Sequence, residues 1–560
     1  MINPKLKQIV THNKYFISAL LLAFTTPLTI YFSMEVKAFS PSAADFSGNG
    51  SVGSEDLTIL NSNWGQRYAY GSDNSPNGPG DANRDGVVNI LDMSAVAGQW
   101  GSRNTVVNRY VSKRGSDSNN GTADNPWLTI QKAANSVIPG ETVVIETGTY
   151  NERVIIPSSA SGNTKNTTKF IAQGNVVVTQ AFVINSDYTE LEGFEITPGS
   201  SSITDNQRTV GQLQVNGNQN ILKRLNIHDL VRGTAITISP GKSYNTIEDC
   251  VITTPRQGGV GSSNDKLGPS YTTVRNTVIS KWAGEVGIDT VGDHWTLDNV
   301  TLRGVTTSDY QNSSVQNGDG IWANNSSNNV IKNSKIYDIW PHNGFRNQHA
   351  DCIQVWTNTT GLLIENTVIG SWKPGGADGS PGPTMGIMLG TVSDGSTIDI
   401  TIRNSLFLMG IAPNTHPTAS GRTNGTINVT LINNTFFSNY PELGNITRIT
   451  ARNNIFYSHR GFGGILDSDY NAFLWEDWEN GASTINSGEG AHSLGRTQAA
   501  RLRATDVFVN PDVSASTNYG LNANFRPKSV LLRAGDPLYT LAYDLMGITR
   551  SSPPSIGAYE

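Results

Sequence analysis

The sequence predicts a mainly β chain of stacked parallel coils, preceded by a small α-helical module. Three observations predict it. The chain is poor in charge, 15%, and rich in turn formers, with 57 glycines in 560 residues; that suits many short strands joined by turns. A short apolar–polar–Asn–polar–apolar pattern recurs between residues 222 and 456. Two loops near the front place oxygen-bearing side chains at every second position. The chain is too long for one ordinary core, so at least two domains are expected. A formal net charge of −6 argues against a nucleic-acid partner, which needs a basic stripe to neutralise phosphates.

Residues 1–38 read as an export signal. Lys5, Lys7 and Lys14 precede a mostly apolar run from Tyr15 to Phe32. Val36 and Ala38 fit a small-residue cleavage pattern, so cleavage after Ala38 is expected, leaving a secreted or cell-surface protein with no membrane segment. The alternative is a retained anchor, since the run has about the length of a membrane helix; Pro27 and several Thr weigh against it.

Residues 41–101 form the next unit. In "DANRDGVVNILD", Asp81, Asn83 and Asp85 occupy positions one, three and five of a cation loop. Gly86 makes the sharp turn at six, Val87 offers its carbonyl, Asn89 sits at nine and Asp92 at twelve. Oxygen-only ligands at this spacing suit Ca²⁺. A second copy 36 residues upstream puts Asp45, Ser47, Asn49, Gly50, Ser51, Gly53 and Asp56 on the same frame. Both copies end alike, in "NSNWG" and "AGQWG", so Trp64 and Trp100 are expected to close the small core. The duplicated unit, with Asp rather than Glu at position twelve, resembles a type I dockerin. The resemblance implies a calcium-folded module that plugs into a cohesin-bearing scaffold protein. Ser47 and Gly53 depart from the stronger ligands usual there. Ser54–Glu55 and Ile90–Leu91, at the positions dockerins use for cohesin choice, differ between the copies, so a two-way symmetric docking surface is not expected.

After a linker at 102–107, the second domain spans 108–560. "PWLTIQKAANSV" has the apolar spacing of one short helix, and "ETVVIETGTY" reads as a strand broken at Gly148. This opening resembles the N-terminal cap of a right-handed parallel β-helix. The core pattern then repeats at 222, 247, 274, 297, 331, 364, 402, 432 and 451, with spacings of 19 to 38 residues. A fixed short core with variable spacing is what stacked coils with loop insertions produce. Asn276, Asn299, Asn333, Asn366, Asn404, Asn434 and Asn453 read as a structural ladder at a tight corner, because Asn tolerates left-handed backbone angles. A second column aligns Ile236, Ile288, Ile321, Ile353 and Ile387. If these point inward, Asp289, Trp322, Gln354 and Met388 point outward. Cys250 and Cys352 fall several coils apart, at about 4.8 Å per coil, too far for a bridge; both are expected to be buried and reduced. "PPSIGAYE" is expected to close the fold as a strand.

The longest spacings bracket residues 297 to 402, and insertions cluster where function lies. There Asp319 and Asp351 stand two residues before aligned isoleucines, so stacked coils would put their carboxylates about 5 Å apart in a solvent-open trough. Two carboxylates that close must share a proton, a cation or a basic neighbour; the alternative is that they cap turns through backbone N–H groups. His349, Arg346, His342, Gln354 and Asp289 are the polar neighbours. Lys281 and Lys373 each stand beside a tryptophan, Trp282 and Trp372, whose faces would stack on sugar rings.

Fold and cap resemble the β-helix polysaccharide lyases across residues 108 to 560. The resemblance implies β-elimination on a uronate polymer. A cation at Asp319 and Asp351, with Asp289, would neutralise the uronic carboxylate. Lys373, Lys281 or His349 would remove the C5 proton, and Arg346 would clamp the carboxylate. Two enzymatic alternatives on the same fold stay open: a glycoside hydrolase using the aspartates as acid and bases, and a C5-epimerase. A third is a non-catalytic glycan-binding or surface protein, for which Asp351→Asn would change nothing.

Overall fold

The computed structural model describes residues 44–47, 52–67, 79–82, 87–98, 108–198, 211–264, 267–282, 284, 286–304, 318–337, 339, 351–356, 358–370, 386–390, 395–408, 411–413, 425–437, 446–457, 465–475, 489–511 and 524–560. The chain separates into two compact units, 1–103 and 104–560. Among the described residues no helix is long and apolar enough to cross a membrane.

The front unit carries two helices, Ser54–Ser62 and Ile90–Gly98. They start and end 36 residues apart, each from position ten of its loop. Their partners in the core repeat the same offset: Val52 with Val88 and Leu60 with Val96, all buried in one cluster. The two position-twelve carboxylates do equivalent work. Asp56 accepts the backbone N–H groups of Ser47 and Gly53, at 2.7 and 2.8 Å. Asp92 accepts those of Ala82 and Asn89, again at 2.7 and 2.8 Å. Each thereby ties its loop to the first turn of its helix. Trp64 does not close this core: it is 46% exposed, since the helix ends at Ser62 and the chain turns outward. Trp100 lies outside the described residues.

The large unit is mainly parallel β-sheet. Its opening helix, Ile130–Ser136, is capped by Thr129, whose hydroxyl accepts the Lys132 N–H. The strand Thr142–Tyr150 runs through Gly148 rather than breaking there; a bulge between Glu146 and Gly148 absorbs the irregularity. Beyond this cap, successive coils pair in parallel register, one long sheet collecting two strands from most coils and a ten-stranded sheet collecting one. In the ten-stranded sheet the apolar column runs Phe182, Leu213, Ile236, Val260, Ile288, Ile321, Ile353, Ile387 and Ile411. The members from Phe182 to Ile387 are at most 1% exposed. Val260 belongs to it although "GGVGS" lacks any apolar neighbour that would mark it.

Side chains at the corners bond from coil to coil. Left-handed backbone occurs at Asn276, Asn299, Asn333, Asn366, Asn404, Asn433 and Asn453. Asn299 donates to Asn276 at 2.9 Å, Asn366 to Asn333 at 3.2 Å and Asn404 to Asn366 at 2.6 Å. Asn434 is not a member, which corrects the sequence frame by one residue: Ile402 pairs with Leu431, so Asn433 takes the corner. Asn434 instead enters a second, inner ladder. There a side-chain acceptor receives the backbone N–H of the preceding coil, from Ser334 N–H to Thr367, then to Ser405, Asn434, Asn454, Asn471 and Ser493. Cys250 does the same job upstream, accepting from Leu225 N–H at 3.4 Å. Both cysteines are buried.

A third column alternates in charge. Glu192, Lys223, Glu248, Arg275, Asp298, Lys332, Glu365 and Arg403 are successive register partners. Lys223 meets Glu248 at 3.2 Å, Lys332 meets Asp298 at 3.2 Å, and Arg403 Nε donates to Glu365 at 2.7 Å. Farther on, Phe407, Phe436, Phe456 and Phe473 stack inside the coil at centroid spacings of 4.7, 5.3 and 5.4 Å. The chain does not end in a strand. Residues 533–560 fold back irregularly over the late corners, where Asn404, Asn433 and Asn453 donate to the carbonyls of Tyr543, Ser555 and Asp536.

Candidate functional site

The outward face of the ten-stranded sheet is set by one register column: Gln214, Thr237, Gly261, Asp289, Trp322, Gln354, Met388 and Ala412. Gly261 leaves this column without a side chain, and a small recess lies there, lined by Thr234, Gly258, Val260, Gly261, Ser262, Val286 and Asp289.

Asp319 opens the strand Asp319–Ala323, in register with Val286. Its carboxylate is fully buried and accepts hydrogen bonds through both oxygens. Oδ2 accepts the indole N–H of Trp322 at 2.6 Å, and Oδ1 accepts the backbone N–H of Asp351 at 2.6 Å. Asp351 is fully buried as well, and its carbonyl accepts Gly320 N–H at 2.9 Å. The structure thus stacks the two aspartates on consecutive coils, as the spacing predicts. It does not leave them in an open trough: both are 0% exposed, because Asp319 turns to cap the strand Ile353–Val355 of the next coil. Asp289 is buried too, at 3% exposure.

Two indoles sit on this face: Trp322, expected there from sequence, and Trp356, which was not assigned. Trp356 donates its indole N–H to Gln354 Oε1 at 2.8 Å, and Gln354 Nε2 lies 3.6 Å from the Met388 sulfur. The Trp356 ring lies over Gly390, where a Cβ would come within 2.7 Å of it. Trp322 and Trp356 are half-buried and flank the buried Gln354. The signal was present in "IWANN" and "IQVW", one residue and three residues after the column isoleucines.

The aromatic role expected of Trp282 is not met. It is 1% exposed, with its ring against Gly287 inside the coil. Lys281 is exposed at a left-handed corner, its backbone N–H donating to Arg303 O. His342, Arg346, His349, Trp372 and Lys373 lie outside the described residues, as do the loop ligands Asn49, Ser51, Asn83 and Asp85. Of the other expected calcium ligands, Asp45 and Asp81 are 8% and 6% exposed, and Asp56 and Asp92 are fully buried. Among the described residues no group of three or more His, Cys, Asp or Glu side chains is placed to hold a metal ion. The donor set is nonetheless all oxygen, and four carboxylates buried in so small a module suit a hard cation.

Residues 109–253 match the family model described as the Pel9A-like, right handed beta helix region. The 104–560 unit is a right-handed parallel β-helix. No curated protein matches the chain. Among solved structures, pectate lyase Pel9A is 17% identical, over 81% of this chain and 96% of its own, with a TM-score of 0.39. A rhamnogalacturonan lyase is also 17% identical, over 73% of this chain and 91% of its own, with a TM-score of 0.33. The GH136 lacto-N-biosidase from Eubacterium ramulus is 12% identical, over 82% of this chain and 80% of its own, with a TM-score of 0.42.

Proposed function

We propose that this protein is an exported polysaccharide lyase that cleaves a uronate polymer by β-elimination. The observation that carries the proposal is the match of residues 109–253 to a family model named for Pel9A, a pectate lyase. The outward face bearing Asp289, Trp322 and Gln354 adds an acid and the aromatic surface that such a polymer needs. In elimination, the C5 proton of a uronic residue leaves to a base and the C4–O bond breaks without water. Asp289, which lines the recess, is the acid proposed to hold a cation, which when bound would draw charge from the uronate carboxylate. Lys373, Lys281 or His349 is proposed as the base and Arg346 as the carboxylate clamp, on sequence position alone.

Export is supported by the basic and apolar stretch before Ala38. Attachment to a cohesin-bearing scaffold, with Ca²⁺ in both loops, is supported by the duplicated loop–helix unit of residues 41–101 and by the matching bonds of Asp56 and Asp92.

Digestion of polygalacturonate, alginate and chondroitin tests the activity, with products read by ultraviolet absorbance and mass. Unsaturated uronate ends are expected on one of them. Saturated products heavier by one water would replace the lyase with a hydrolase. An intact polymer throughout would leave a glycan-binding protein.

A further inference from the structure

Resting on the polysaccharide reading above, we infer that Trp322 and Trp356 form a sugar-binding wall on the outward face, and that Asp319 is a positioning residue for it. Trp322 and Gln354 are register partners on adjacent coils, and Trp356 stands two residues beyond Gln354. Side chains two apart on a strand share a face, and so do in-register partners. The two indoles therefore bracket one carboxamide on one side of the sheet. Neither ring is free to turn. Trp322 is held by the Asp319 carboxylate at 2.6 Å, and Trp356 by Gln354 at 2.8 Å and by the glycine backbone beneath it. Tethering each indole by its polar edge fixes the ring plane while part of its apolar surface stays solvent-accessible. Rigid aromatic surface with a few placed polar groups is the usual make-up of a small-ligand site. A glycan fits this surface because its C–H faces pack on rings held at a fixed angle by the buried Gln354 and Asp319.

The arrangement gives Asp319 a task other than chemistry. One oxygen locks the next coil through Asp351 N–H and the other aims Trp322. In Asp319→Asn, the amide oxygen can still accept one of these bonds, but the amide nitrogen is a donor and cannot accept the other.

Affinity electrophoresis of the full chain in gels containing polygalacturonate, alginate or xylan tests the inference, because it reads binding without cleavage. The unsubstituted protein is expected to be retarded by one of them. Trp322→Ala and Trp356→Ala should each weaken that retardation about ten-fold, and the phenylalanine variants should restore most of it. Where the polymer is cleaved, KM should rise with kcat nearly unchanged, and Asp319→Asn should fall between the wild type and Trp322→Ala. Alanine variants that melt at the wild-type temperature and bind unchanged would overturn the wall. If an alanine variant melts early, Trp322→Leu and Trp356→Leu, which keep apolar bulk without a ring, are compared with the wild type, and equal binding overturns it too. Retardation lost in the variants while no polymer is ever cleaved would keep the wall and remove the lyase; cleavage with unsaturated products and unaltered KM would do the reverse.

Discussion

The carboxylate of Asp319 grips the backbone of Asp351, its neighbour one coil on, at 2.6 Å. Both residues are sealed from solvent, so this contact contributes to the stacking of the two coils. Asp319→Ala would leave two N–H donors, of Asp351 and Trp322, without that acceptor. An unsatisfied buried donor costs about 1–3 kcal/mol, so a loss of about 2–5 kcal/mol is expected in a urea denaturation of the large unit.

Asp289, the aspartate that lines the recess, is the acid through which chemistry would run. Asp289→Asn should lower kcat/KM on the cleaved polymer by at least about a hundred-fold, with the melting temperature shifted little. Steady-state rates from product absorbance check this, and an unchanged rate would remove Asp289 from the reaction.

The inner ladder should matter more than the outer one. Asn434 is fully buried and bonds Ser405 N–H, Ile402 O and Asn454, whereas Asn276 is exposed. Asn434→Ala is expected to cost about 2–4 kcal/mol and Asn276→Ala less than about 1 kcal/mol. Amide hydrogen exchange would show the difference locally, at residues 402–405 and 454.

Calcium should govern the folding of the front unit. With a chelator present, the helices Ser54–Ser62 and Ile90–Gly98 should lose order as a pair, since metal binding and folding are coupled in such loops. A fragment-resolved exchange experiment should show residues 108–560 unaffected. Asp92→Ala should abolish the calcium response of its own loop.

Asp469 links late coils by charge. Burial pushes its carboxyl up, but the His492 ring and the backbone N–H groups of Tyr470 and His492 outweigh that, so its pKa is lowered. The His492 ring meets it at 2.7 Å and stacks on Tyr470. A carboxyl lowered on folding stabilises the fold above its unfolded value, and that gain is lost as pH falls through its folded value. Asp469→Asn should therefore lower the melting temperature at neutral pH, by no more than about 1 kcal/mol equivalent. The gap from wild type should close below the usual carboxylate range.

Much of the coil architecture is legible in the chain because its signals are local and repeated. The isoleucine column and the outward residues beside it follow from a period of two within each strand. The corner frame slipped only where two asparagines adjoin, at Asn433 and Asn434, since either could take the left-handed angle and only coil-to-coil pairing decides. Arg224 adopts the same angle without the residue type that would announce it, because the corner is imposed by the coils around it. The site was harder to read. Alternation says which way Asp289 and Trp322 face but not what covers that face, so the burial of Asp319 and Asp351 was invisible. Trp282 looks like a surface ring beside Lys281; it is internal only because Gly287, on the following strand, leaves room for it.

Strict alternation from Glu192 to Arg403 limits how this solenoid can change length. Excising the Arg275 turn would set Glu248 beside Asp298, two like charges, whereas excising it together with the Asp298 turn would bring Glu248 against Lys332. Growth or shrinkage of the barrel wall in this stretch is therefore favoured by even steps, and the natural unit of duplication is the pair.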